Sequence, residues 1–171
     1  SEHVDPEQKY REPNEYELKN IAYLYHGTYS HFLDSIAEKG LLARSRMIHA
    51  TPHWRTVNQM RHNTDRAVVI HVQQCLKSGV KFLISDQDTW LTWGLEMRNG
   101  WYGILPSHIH KVHCMPSWEL ARWEPTPYTE LCYAALGERD APYPGDEAEA
   151  APAARTNMPN AEEMIGEAGP E

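Results

Sequence analysis

The strongest constraint on how this chain folds is Ile21–Tyr25, in which Ile21, Tyr23 and Tyr25 alternate with Ala22 and Leu24. Both faces of such a strand are apolar, so it reads as buried on both sides, with a covering layer on each. The run breaks at His26-Gly27-Thr28-Tyr29-Ser30, a polar turn. A strand ending there delivers His26 to the sheet rim, Gly27 lets a ligand approach the main chain, and Ser30 is predicted to cap the next helix. In that helix Phe32, Leu33, Ile36 and Ala37 share one face, and Gly40 stands where a helix ends. A ring nitrogen, a bare backbone and hydroxyls thus converge at one corner. The competing reading is an ordinary strand–turn–helix corner that holds a buried histidine.

Residues 1–20 are polar, with Pro6 and Pro13, and read as an arm that becomes helical near Glu15–Asn20. The loop Leu41–Met47 carries Arg44 and Arg46. Thr51-Pro52 reads as a cap with proline in the first turn, opening a helix whose Trp54, Val57 and Met60 form a stripe, with Arg61 just beyond it. Ala67–Val72 is an apolar, mostly β-branched run and is predicted to be a central strand. A short helix over Gln73–Ser78 follows, stopped by Gly79. Strands are predicted at Val80–Ser85, Thr89–Thr92, Trp101–Leu105 and Ile109–Met115, with Asp86-Gln87-Asp88 as a hairpin turn. The order defines an α+β domain of two small packed sheets with two or three short helices, not a doubly wound parallel sheet. It extends over residues 21–136 and closes with an aromatic strap, Met115–Leu136. Residues 137–171 are dominated by Ala, Glu, Pro and Gly with one aromatic, Tyr143, and read as a disordered tail.

Charge is distributed unevenly along the chain. Residues 137–171 hold nine acidic and two basic side chains, whereas residues 1–136 hold fifteen and fourteen, so the domain is almost neutral and admits a local site for a phosphorylated ligand. Cys75, Cys114 and Cys132 lie far apart and define neither a disulfide framework nor a thiolate metal site. With no membrane-length apolar run and no signal-peptide pattern, the expected location is intracellular, cytoplasmic or nuclear. Ser1 in place of methionine suggests a trimmed product. His108 and His110 offer a different chemistry: on a strand they would share a face and could bind zinc, although no third ligand is spaced to join them.

Taken in order, Tyr25-His26-Gly27-Thr28, Glu38-Lys39-Gly40-Leu41, Ile48-His49-Ala50-Thr51, Met60-Arg61, Ala67-Val68-Val69-Ile70, Gly79-Val80-Lys81-Phe82, Thr89-Trp90-Leu91-Thr92 and Ile104-Leu105-Pro106 form a specific set. It resembles the catalytic lobe of the RNA 2′-phosphotransferases of the KptA type, within the wider ADP-ribosyltransferase fold, over roughly residues 21–115. The resemblance implies a split β-sandwich whose cleft binds NAD as co-substrate. An RNA 2′-phosphate attacks the NAD ribose, nicotinamide leaves, and the phosphate departs on ADP-ribose. By the same resemblance His26 holds the nicotinamide ribose and Gly27 the carboxamide, while Thr28 and Ser30 hold neighbouring phosphate or ribose oxygens. His49 matches the family's second histidine, Arg61 an arginine that grips the transferring phosphate, and Thr51 and Thr89 complete the NAD-binding set. Fixed dipoles and an arginine fork suit this chemistry, and no metal is implied.

The chain departs from the family pattern in several places. About twenty polar residues precede the first strand, too few for the family's amino-terminal winged-helix lobe, which supplies further RNA-phosphate ligands. Met47 stands where the family has another histidine, and Thr89 where it has a small aliphatic residue. The expected partners are therefore NAD and either 2′-phosphorylated RNA or another phosphate or protein acceptor. Two alternatives follow: a non-catalytic assembly module that keeps the transferase fold and binds partners through its tail or strap, and a protein or nucleic-acid ADP-ribosyltransferase.

Overall fold

A computed structural model describes residues 9–57, 63–98 and 100–125. The chain runs β1 (Tyr10–Arg11), α1 (Glu15–Asn20), β2 (Tyr23–Thr28), a 3-10 turn at Ser30–Phe32 leading into α2 (Leu33–Lys39), β3 (Leu41–Ala43) and β4 (Ile48–Ala50). After a 3-10 turn at Trp54–Thr56 come β5 (Arg66–His71), α3 (Val72–Lys77), β6 (Leu83–Ser85), β7 (Trp90–Thr92), β8 (Leu95–Glu96), β9 (Tyr102–Ile104), a 3-10 turn at Pro106–His108, and β10 (Ile109–Cys114).

The architecture is α+β, with three small antiparallel sheets where two were expected: β1-β6-β7-β4, β10-β5-β2 and β3-β9-β8. Most strands are two or three residues long, too short to continue one sheet across the molecule. The first two sheets meet at one point, where Tyr25 and Thr51 exchange backbone hydrogen bonds of 2.8 and 3.0 Å. That joint holds β2 beside the end of β4, and the candidate site lies against it.

Most of Ala67–Val72 falls in a central strand as predicted, since β5 is flanked by β2 and β10, but the strand ends at His71 and Val72 opens α3. Its six-residue pairing with β2 runs from Tyr23↔His71 to Thr28↔Arg66. This register corrects two expectations. His26 and Gly27 lie within the strand, not beyond its end, since β5 keeps supplying partners as far as Thr28. Nor is β2 buried on both faces: Leu24 is fully enclosed, while Tyr23 and Tyr25 are half-buried.

Leu24, Val68, Ile70, Ile109 and Val112 join Trp90, Trp93 and Tyr102 in the core. Each large apolar side chain fully withdrawn from water contributes about 1.5–3 kcal/mol. Val80–Phe82 was expected to be strand, but β6 begins only at Leu83, because the Val80 N–H bonds back to the Cys75 carbonyl at the end of α3. Ser30 does not cap the following helix: Tyr29 occupies the cap of the 3-10 turn and Phe32 that of α2, neither with a side-chain bond, and the Ser30 N–H donates to Asp65 at 2.8 Å. Thr51 likewise caps only the turn, accepting from the His53 N–H at 3.1 Å, while His53 occupies the cap of the 3-10 turn.

The arm is tied to the domain. β1 pairs with β6, and α1 starts in a capping box in which Asn14 and Glu17 satisfy each other's backbone N–H groups. Arg11 grips the Glu17 carboxylate with two bonds of 2.7 Å. That grip, aided by the Asn14 N–H, lowers the Glu17 pKa to about 2. A depressed carboxylate stabilises the fold above its ordinary value, and the contribution disappears as pH falls through the lowered one. Glu17→Gln should therefore flatten the melting-temperature profile between about pH 4.5 and about pH 2; circular dichroism on both proteins checks this, and parallel profiles would refute it.

His108 and His110 do not share a face. The 3-10 turn ends at His108, which is buried with Nε2 3.0 Å from the Ser78 hydroxyl, and a register shift follows between Ile109 and Lys111. His110 stacks on Tyr23 with ring centres 4.8 Å apart. The paired-ligand geometry is absent, and among the described residues no cluster of three or more His, Cys, Asp or Glu could hold a metal ion. The start of the strap folds back on β10 through Cys114 N–H to Glu119 O (2.7 Å) and Ala121 N–H to Val112 O (2.8 Å). Trp123 Nε1–H reaches the Leu33 carbonyl at 3.2 Å. The rest of the strap and the acidic tail lie outside the described residues. No helix is long and apolar enough to cross a membrane among the described residues.

Candidate functional site

Two histidines meet at the joint between sheets. His26 projects from β2, and its Nδ1 lies 2.6 Å from the His49 carbonyl oxygen. A carbonyl only accepts, so Nδ1 carries a proton and the Nε2 edge is turned away from that bond. The same reasoning applies to His49, whose Nδ1 sits 3.0 Å from the Met47 carbonyl. Burial lowers the His49 pKa, against a smaller upward pull from that bond, so its ring is neutral at pH 7.

A cleft of about 310 Å³ opens beside the pair, lined by His26, Gly27, Arg44, Ser45, Arg46 and His49, with β3 and Met47 as its apolar side. A second hollow of about 450 Å³ is lined by His49, Thr51, His53, Thr56, Asp88 and Thr89. His49 belongs to both, so the two adjoin. The tertiary structure thus brings His26 and Gly27 to one cavity and Thr51 and Thr89 to the other, with His49 on the wall of both, although His26 comes from β2 and Thr89 from the turn before β7.

Other site expectations fare differently. Thr28 is buried, 2% exposed, and its carbonyl accepts the Asp65 N–H at 3.1 Å. Thr28 and Ser30 are not among the described residues that line either cavity. Arg61 falls outside the described residues. At Gly27 a Cβ would stand 3.1 Å from both the Val57 Cγ1 and the Thr64 Oγ1. Its open side is filled by the chain's own side chains, and what Gly27 shows the cleft is backbone.

Arg44 and Arg46 are the residues that sequence reasoning left unassigned. Both stand in the β3–β4 loop on the wall of the first cleft, and the Arg44 guanidinium lies 4.8 Å from the centre of the Trp101 ring, a cation–π contact that holds it in place. Two arginines flanking a serine were visible in the sequence, but nothing there placed them beside His26. Across the second hollow, His53 Nε2 and Asp88 Oδ2 are 2.6 Å apart. That contact bridges the Thr51 loop to the β6–β7 hairpin.

The arrangement offers two arginines, two oriented imidazoles and the Gly27 main chain along one groove. It suits a polar, anionic ligand with a ring to hold. Fold and cleft together define a small α+β protein with an anion-receptive groove between its sheets. Residues 3–94, more than half of the chain, match the RNA 2′-phosphotransferase, Tpt1/KptA family, and the chain belongs to that family of transferases. Probable RNA 2′-phosphotransferases from Shigella boydii serotype 18 and from Escherichia coli O9:H4 are each 34% identical to it over 73 residues, covering 41% of this chain. The chain spans about 40% of the length of these relatives.

Proposed function

We propose that this chain is an NAD-dependent transferase with an ADP-ribosyltransferase-like split β-sandwich, which moves an RNA 2′-phosphate onto the ADP-ribose of NAD with release of nicotinamide. The observation that carries the reading is the His26–His49 joint opening onto a cleft walled by Arg44 and Arg46. NAD supplies the leaving group and the sugar that receives the phosphate.

His26, oriented by the His49 carbonyl, presents its Nε2 edge to a sugar hydroxyl, and the Gly27 backbone on the same wall receives an amide. Arg44 and Arg46 supply the charge that holds a diphosphate, since guanidinium pairs with phosphate oxygens in a fork. Thr51 and Thr89 offer hydroxyls in the adjoining hollow. Thr28 and Ser30 act from behind, through Asp65, as positioning residues. Arg61, on the segment that follows the Trp54–Thr56 turn, is assigned to the transferring phosphate. A neutral His49 leaves the positive charge of the site to the arginines, where the phosphates need it.

The test is nicotinamide release from labelled NAD, with and without a 2′-phosphorylated RNA. Release that requires this RNA is the expected result. Release without it would assign ADP-ribosyl transfer to another acceptor or hydrolysis, and no release would identify a non-catalytic module; either outcome overturns the proposal.

A further inference from the structure

The face of the β10-β5-β2 sheet turned away from the core carries an aromatic groove of about 260 Å³ that the proposed NAD site does not use. Register places Tyr25, Val69 and Lys111 in one row across the three strands. Val69 is its floor, 1% exposed, with Tyr25 on one side and Lys111 on the other. Trp118 forms a wall. It is fixed from both ends, since its N–H donates to the Cys114 carbonyl at 2.6 Å and its carbonyl accepts from His113 Nδ1 at 2.9 Å. The Trp118 ring meets Tyr25 edge-to-face with centres 6.1 Å apart and Trp54 at 4.8 Å.

At the rim, the Arg55 guanidinium lies 4.7 Å from the centre of the Trp54 ring. Lys111 is the cation within the groove, and no carboxylate lines it among the described residues. Rigid aromatic rings beside cations, with no negative charge, match a flat π-system attached to an anion. An apolar peptide would have no use for Lys111 and Arg55, and a bare phosphate none for the rings.

We infer that this groove holds an unpaired base of a single-stranded RNA, stacked on the Trp118 ring with its edge toward Tyr25, and with its flanking phosphate on Lys111 and Arg55. The choice of RNA rests on the phosphotransferase reading; the groove itself, on the opposite face of β2 from His26, is a separate site. It would hold the strand by a base away from the reacting phosphate.

The experiment measures fluorescence anisotropy of a labelled oligoadenylate RNA that carries no 2′-phosphate, in the absence of NAD. Binding that weakens with added salt is expected, with Trp118→Ala reducing affinity roughly 10- to 100-fold. Lys111→Glu should also weaken binding and make its salt dependence shallower. Melting curves establish that the variants are folded, and Lys111→Glu, at a half-exposed position, provides the decisive comparison if Trp118→Ala is not. No binding at low salt, wild-type affinity in the folded variants, or equal affinity for an abasic oligomer overturns the inference. Self-association lost on Trp118→Ala, without RNA binding, would assign the groove to a second copy of the chain and overturn it too. Because the oligomer lacks the reactive phosphate, failure of nicotinamide release leaves this measurement standing, so the two proposals fail separately.

Discussion

His26→Ala should reduce RNA-dependent nicotinamide release by at least about 100-fold, the loss typical when one preorganised polar contact to a developing charge is removed. The reason is positional. His26 sits where β2 meets the end of β4, its Nδ1–H bonded to the His49 carbonyl and its ring on the cleft wall. Alanine deletes the Nε2 edge and one hydrogen bond together, and the bond alone is worth only about 1 kcal/mol of stability. The fold should therefore survive while turnover does not. His26→Asn separates the two roles, because the Asn amide can still donate to the His49 carbonyl but offers nothing in place of Nε2. Native melting temperature with lost activity is expected for Asn. Turnover near wild type in either variant would show that the cleft is not where the chemistry happens.

Gly94→Ala should abolish soluble expression or cost more than about 4 kcal/mol, a size reserved for severe local conflicts. Gly94 has φ +80°, and a Cβ there would lie 2.1 Å from the Gly103 carbonyl oxygen and 2.3 Å from its carbon. Those neighbours are backbone in β9, the central strand of the third sheet, and cannot swing aside. Gly79→Ala provides the control: its φ is +100°, yet the nearest atom to a Cβ is a Leu95 methyl at 3.9 Å. The left-handed backbone alone costs about 1–2 kcal/mol. Thermal melts of both variants should differ accordingly, and equal losses would mean that conformation, not the close approach of the strands, decides the effect.

Much of the architecture was legible beforehand. The helix ending at Gly40, the strand over Ala67–His71 within the predicted Ala67–Val72, and the Asp86–Asp88 turn were legible because helix periodicity, β-branched runs and turn residues are local signals. Boundaries moved where tertiary pairing overrode them. β2 extends through Thr28 because β5 supplies partners, and Val80 leaves its strand because α3 claims its N–H. The capping role expected of Ser30 failed because Ser30 is already inside the 3-10 turn that leads into α2, where Asp65, thirty-five residues away, accepts its N–H.

By itself the sequence determined that this chain is an α+β domain of short strands with histidines at positions 26 and 49, and its ordered motifs pointed to the family later matched. Only the tertiary structure decided that there are three sheets, that Arg44 and Arg46 stand beside His26, and that Val57 and Thr64 fill the open side of Gly27. Element type follows from neighbours along the chain, whereas a cleft is made of residues that meet only after the strands have paired. No local pattern encodes that meeting.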